Sequence, residues 1–310
     1  MSEIINFVAA PELILNLKEP LRPGPHKIRT TLSLRGSIVD EDNVEFHVVK
    51  GEGSIWGSDE NILEVCSPVA DSLRKGIANA IDFAESANYR SRLTERNFYL
   101  QGMSGGRFRA FMNRLVQVMG SSTKVNYLEI GVYKGATFLS ALYDNLEVVG
   151  TATAIDNWSL FGGPKDEMIG EVQAFMKEKE GSLHDNKIRI LESDAFNLRD
   201  KETFWGEDST TKVNLYFYDG PHSYEAQYRA LVDYWDVLAD MFILVVDDFN
   251  FDDVHQGTRH AIRHMGGTVV YERVVRTTNN DLRRGDDEDW IDNPWHNGCG
   301  IFLIEKDSTN

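Results

Sequence analysis

Two short segments carry the residues best able to do chemistry. Tyr218-Asp-Gly-Pro-His-Ser-Tyr-Glu225 sets a carboxylate three residues before an imidazole, and Val246-Asp-Asp-Phe-Asn250 carries an adjacent acidic pair. If both close strands of one sheet, Asp219, Asp247 and Asp248 converge, and three carboxylates without a cation would repel one another and be driven toward the protonated form. A hard divalent ion removes that conflict. Oxygen-only ligands favour Mg2+, Mn2+ or Ca2+ over zinc, and Mg2+ suits a site that keeps positions open for water or substrate. Neighbouring residues of a strand point to opposite faces, which argues against counting both Asp247 and Asp248 unless the strand ends there. The bland alternative is that these aspartates cap the next helix or turn and that His222 is a structural hydrogen-bonding residue. A two-histidine, one-carboxylate iron site is disfavoured by the single histidine of the constellation. The stretch Asp248 to Arg259 also lacks the glycine and glutamate of an EF-hand loop.

A third segment, Leu128-Glu-Ile-Gly-Val-Tyr-Lys-Gly-Ala-Thr137, places Gly131 at a strand-to-helix turn and Gly135 where the helix passes close. Ligands of open parallel sheets bind outside the carboxyl ends of the strands. The pattern E-x-G-x-x-x-G departs from the dinucleotide fingerprint, because Glu129 stands where a phosphate loop would carry glycine. S-adenosylmethionine has no phosphate, and its sulfonium and amino group tolerate negative charge. Asp156 lies about 20 residues after the turn, where an acid can accept from both ribose hydroxyls, and Glu192-Ser-Asp-Ala195 can flank adenine through Asp194. A nicotinamide or flavin nucleotide is the weaker alternative.

These residues need elements to carry them. From Val125 on, buried strand alternates with amphipathic helix, which predicts a mostly parallel sheet covered on both faces. The predicted strands are 125–131, 148–156, 187–194, 213–220 and 242–248, and runs beginning at Thr268 and Gly300 suggest an antiparallel hairpin at the sheet edge. Residues 68–120 read as a helical lead-in, with Leu73, Ile77, Ile81 and then Phe108, Phe111, Met112, Leu115 at helical spacing. Between them Gln101-Gly-Met-Ser-Gly-Gly106 is either a cofactor cover or an ordinary turn. Residues 1–67 alternate apolar runs with turn formers and read as a small β-rich appendage for packing or oligomerisation. The expected organisation is therefore 1–67, 68–120 and a catalytic domain over 121–310.

The 310 residues carry 49 acidic against 32 basic side chains, a formal charge of -17 that disfavours nucleic acid and anionic lipid. Cys66 and Cys299 form no metal or redox pattern and read as free thiols in a reducing compartment, hence a cytoplasmic location. No basic leader and no membrane-length apolar run is expected.

With these motifs the chain resembles the class I S-adenosylmethionine-dependent methyltransferases, over roughly residues 102–306. More narrowly it resembles the metal-dependent group of macrocin and related sugar O-methyltransferases of natural-product pathways, which share the D-x-x-H motif followed by an acidic pair. The resemblance implies a Rossmann-like sheet. It implies that Glu129, Gly131 and Gly135, with Tyr133 between them, line the methionine end; that Asp156 holds the ribose; and that Ser193, Asp194 and Ala195 abut adenine. Asn157 and Trp158 are further cofactor contacts. By the same resemblance Asp219, Asp247 and Asp248 are metal ligands, Asp219 also borders the cofactor, and His222 is the general base. The implied reaction is O-methylation of a small hydroxylated molecule, a sugar or glycosylated metabolite ahead of a catechol. A homo-oligomer is expected. The rival readings are an enzyme of the same fold with another reaction, such as hydroxylase-labelled relatives, and a non-catalytic cofactor-binding or oligomerising protein. Tyr224, Glu225 and Tyr228 are read as substrate-orienting or as helix packing, and the segment Trp290 to Asn297 as a loop anchor or a cover of the acceptor pocket.

Overall fold

The computed structural model describes residues 24–34, 37–48, 67–95, 100–178, 187–197, 211–277 and 295–307. The chain divides into two compact units, Met1–Ser67 and Pro68–Asn310. In the first, strands β1 (Gly24–Leu34) and β2 (Ser37–Val48) pair antiparallel, with a register shift between Leu32 and Ser33. Cys66 and residues 290–294 of the segment ending at Asn297, both singled out from the sequence, lie outside the described residues.

The second unit is built on a seven-stranded sheet. Its strands are β3 (Val125–Ile130), β4 (Val149–Asp156), β5 (Ile188–Glu192), β6 (Val213–Tyr218), β7 (Leu238–Asp247), β8 (Gly267–Val275) and β9 (Cys299–Lys306). They lie side by side in the order β5-β4-β3-β6-β7-β9-β8. The pairs from β5 through β7 are parallel, and β9 runs antiparallel to both β7 and β8. This is the mixed, mostly parallel Rossmann-like sheet expected from the sequence. The terminal hairpin differs in one detail from a simple edge addition, because β9 is inserted between β7 and β8. The reason lies in the side chains: Ile301, Phe302, Leu303 and Ile304 are all fully buried, as a central strand requires, whereas Thr268 and Val269 of β8 reach solvent.

Six helices accompany the strands among the described residues: α1 (Pro68–Glu85), α2 (Gly106–Gly120), α3 (Ala136–Leu142), α4 (Lys165–Glu178), α5 (Tyr224–Val232) and α6 (Asp252–His264). Each of the longer ones follows from its sequence. In α6, Val254, Thr258, Ala261 and Ile262 are buried on one stripe, while Asp252 and Asp253 open the helix and Arg263 and His264 close it, complementing the helix dipole. In α5, Ser223 caps the first turn by accepting from the Ala226 N–H at 3.2 Å. One core cluster joins β3, β4, β6, β7 and β9 to α5 and α6 through Tyr216, Phe242, Phe249, Val254, Ile262 and Phe302.

The parallel strands all finish at one rim. The strand order reverses direction between β3 and β6, and β3 therefore ends beside β4 on one hand and β6 on the other. That reversal opens a crevice above the sheet.

Candidate active site

At the end of β3 the chain turns through Gly131 and Gly135, both in the left-handed region at φ 85° and 83°. A side chain at Gly131 is excluded on two counts: its φ, and a Cβ that would stand 1.8 Å from the Asp219 carbonyl oxygen. This close approach ties the β3 and β6 ends together, helped by the Asp219 N–H donating to Ile130 O at 2.9 Å.

Asp156 ends β4 and is held by backbone. Its Oδ2 accepts from the Tyr133 N–H at 2.8 Å and its Oδ1 from the Trp158 N–H at 2.7 Å. The Trp158 indole in turn donates to Tyr133 O at 2.8 Å. Tyr133 and Trp158 both adopt positive φ, 52° and 46°, so the aspartate, the tyrosine and the tryptophan form one closed clasp. Trp158 is buried in that clasp, and Asn157 is exposed, its side chain accepting from Ser159. At the β5 end Asp194 is exposed and accepts from the Phe196 N–H and the Asn197 side chain, both at 2.9 Å, while the Ser193 N–H donates to Asp156 O. Ala195 O accepts from the Tyr234 hydroxyl at 2.9 Å.

Glu129 is fully buried and accepts a hydrogen bond from the Tyr127 hydroxyl. Burial pushes its carboxyl up to about 8, against the lowering effect of that bond and with help from Asp156 and Asp247. Such a carboxyl gains from a cationic ligand and would lose from a phosphate. The donor set at this end therefore fits adenosylmethionine better than a dinucleotide.

The other half of the rim is crowded with charge. Asp219 follows β6 and Asp247 is the last residue of β7. Both carboxyls stand well above the ordinary range. Burial is the main cause for each, followed by Asp248, Glu129 and Asp156 around Asp219 and by Asp219 and Asp248 around Asp247. Asp248 lies just past the strand at φ 55°, which breaks the strand alternation and lets consecutive aspartates face one space. Its carboxyl falls below the ordinary range: burial raises it, but the His222 hydrogen bond and charge, then the Asn297 hydrogen bond, more than compensate. The His222 Nε2 to Asp248 Oδ2 distance is 2.6 Å, and the Asn297 amide donates to Oδ1 at 2.6 Å. The His222 ring stacks on Phe251 with centroids 5.5 Å apart.

Donor atoms of Asp219, His222 and Asp248 lie within 4.8 Å of one another, as do those of Asp247, Asp248 and His296. The arrangement fits a divalent cation, with Asp248 common to both groups. It differs from an oxygen-only set in placing two imidazoles beside the carboxylates.

His296 and Asn297 are read from the sequence only within a segment that anchors a loop or covers the acceptor pocket, not as individual site residues. They arrive from just before β9, and the Asn297-Gly298 turn dipeptide was the available signal: His296 has φ 45° and Gly298 φ 80°. Arg109 was missed as well. Its buried guanidinium donates to the carbonyls of Leu100, Gly102 and Ser104 and to the Ser104 hydroxyl, fixing the loop before α2. Gly102 of that loop packs on Ala136, and Gln101 accepts from Lys134 at 2.9 Å, so the loop rests on the glycine turn. Tyr224 and Tyr228 bond to His260 and His264 of α6, which turns their hydroxyls to the neighbouring helix.

Residues 128–249 match a family model described as a methyltransferase domain. No curated protein matches the chain. Among solved structures, an O-methyltransferase from Bacillus cereus in complex with S-adenosylhomocysteine aligns with a TM-score of 0.45 and 11% identity, covering 79% of this chain and 94% of that one. An S-adenosylhomocysteine-bound methyltransferase from Podospora anserina aligns with a TM-score of 0.42 and 15% identity, covering 83% of this chain and 100% of that one. Strand order and the matched segment, rather than these superpositions, identify the fold. Among the described residues no helix is long and apolar enough to cross a membrane.

Proposed function

We propose that this chain is an S-adenosylmethionine-dependent O-methyltransferase that works with a divalent cation, Mg2+ first, on a hydroxyl of a small molecule. A sugar or glycosylated metabolite is the favoured acceptor, ahead of a catechol. The proposal includes a cytoplasmic, homo-oligomeric protein with no nucleic-acid or membrane partner, in keeping with a formal charge of -17.

One observation carries the reading. Glu129, Asp156, Asp219, Asp247 and Asp248 come from four neighbouring strand ends and meet at one rim, where burial and neighbouring charge raise the carboxyls of Glu129, Asp219 and Asp247. In this reading Gly131, Tyr133 and Gly135 with Glu129 hold the methionine end, and Asp156, Asn157 and Trp158 the ribose. Ser193, Asp194 and Ala195 hold the adenine. Asp219, Asp247 and Asp248 hold the cation, with His296 beside them. When bound, adenosylmethionine supplies the electrophilic methyl group and the cation supplies charge that lowers the pKa of an acceptor hydroxyl.

The chain's own part is orientation and proton transfer. His222 takes the hydroxyl proton, with its Nε2 bonded to Asp248 and its ring stacked on Phe251, which keeps the imidazole plane fixed. Asn297 holds Asp248 from the opposite side, so the carboxylate stays aligned as His222 gains charge. Most of the acceleration comes from this positioning and from charge neutralisation.

The test is methyl transfer from labelled adenosylmethionine to a panel of sugars, glycosides and catechols, with Mg2+ and with a chelator. Turnover is expected only with the cation. Asp247→Ala is expected to abolish it while leaving S-adenosylhomocysteine affinity nearly intact. Turnover unaffected by chelation overturns the metal role, and parallel loss of turnover and affinity assigns Asp247 a structural one.

A further inference from the structure

Away from the rim, α5 and α6 run side by side and in the same direction, and they touch unusually closely. A Cβ on Gly257 would lie 2.4 Å from the Tyr224 carbonyl oxygen. This contact brings the outer faces of the two helices into register. Tyr224 and Tyr228 of α5 stand one turn apart, and so do His260 and His264 of α6. The Tyr224 hydroxyl is hydrogen-bonded to Nδ1 of His260, and the Tyr228 hydroxyl to Nδ1 of His264. The Tyr228 ring packs against both imidazoles, 5.1 Å from His260 and 5.5 Å from His264, and the two imidazole centroids are 6.2 Å apart. Both histidines are exposed.

Two imidazoles at i and i+4 on one helix face can chelate a single metal ion, and imidazole suits Zn2+, Cu2+ and Ni2+. Metal-bound histidines almost always donate their other ring N–H to a neighbour that fixes tautomer and orientation. Here that neighbour is in place twice. With each Nδ1–H donated to a tyrosine oxygen, each Nε2 lone pair is left for a metal. We propose that His260 and His264, oriented by Tyr224 and Tyr228, form a transition-metal-binding site on the α5–α6 surface, separate from the acidic rim. It takes a borderline or soft divalent cation and leaves the remaining coordination positions to water or to a ligand from outside the chain. The two imidazoles stand one helical turn apart on the same face of α6.

The experiment is a Cu2+ titration of the full chain, followed by calorimetry and by electron paramagnetic resonance, with excess Mg2+ present to occupy hard-oxygen ligands. The expected result is a Cu2+ signal with nitrogen coupling from two imidazoles. His260→Ala and His264→Ala each remove that two-nitrogen signal and weaken binding at least tenfold, and His255→Ala on the same helix leaves it intact. Tyr224→Phe with Tyr228→Phe weakens binding by about tenfold, the usual size of an outer hydrogen-bonding effect. Copper bound equally by the two histidine variants and the wild type overturns the site. Loss in the histidine variants with no change in the tyrosine pair overturns the orienting role.

Discussion

The two halves of the rim hold carboxylates of the same chemistry in opposite circumstances. On the β4–β5 side Asp156 and Asp194 are satisfied by the chain itself, each accepting at least one backbone N–H. On the β6–β7 side Asp219 and Asp247 are pressed together and driven toward protonation, and only Asp248 is held in its charged form, by His222 and Asn297. The first half is complete as a folded structure. The second keeps buried carboxylates crowded against one another, and the proposed cation would relieve that crowding. Burial and mutual charge together separate the two halves: Asp156 and Asp194 are partly or fully exposed and already hydrogen-bonded, whereas burial beside other carboxylates raises Asp219 and Asp247.

The contrast can be broken at its hinge. Gly131→Ala adds a Cβ at a left-handed position against the Asp219 carbonyl, and is expected to cost about 3 kcal/mol or more in denaturant unfolding. Next in size, Asp156→Ala strips the acceptor from two amides and is expected to cost about 2 kcal/mol by the same measurement.

Glu129 gives a pH signature. Its folded pKa of about 8 lies above the ordinary carboxyl value of about 4.5, so the folded state holds the extra proton between those values. Stability is then fully present below about pH 4.5 and declines as pH rises toward about 8, by up to about 1.4 kcal/mol per unit. Thermal melts across that range are expected to show the decline, and Glu129→Gln to make it shallower, the remainder coming from Asp219 and Asp247.

The smallest effect is the most pointed. Without divalent cation, Asp247→Asn is expected to stabilise the protein by about 1 kcal/mol near pH 8, because it removes a crowded ionisable group. With saturating Mg2+ the sign reverses, since binding free energy is lost. Destabilisation in both conditions would mean that the β6–β7 half is satisfied like the other.

Much of this was legible from the chain alone. Buried parallel strands are written as apolar runs such as Val213 to Tyr218 and Phe242 to Val246, and each ends in an acid or a glycine, so the rim residues could be named in order. Less legible was the position of β9 inside the sheet, because neighbour order is set by long-range packing and not by any local pattern. The Tyr133–Asp156–Trp158 clasp was hidden for another reason: positive φ at an aromatic residue has no sequence signature. His296 and Asn297 sit nearly fifty residues beyond Asp248, and only the fold of β9 against β7 brings them to it. Arg109 reads as an ordinary surface helix charge until the carbonyls of residues 100–104 close around it.

Calorimetric titration of S-adenosylhomocysteine into the full chain, in chelator, is the most direct measurement. The account predicts a single site whose affinity survives Asp247→Asn and collapses with Asp156→Ala, because the nucleoside end depends on the half of the rim that needs no metal. Absence of binding by the wild-type chain would contradict it outright.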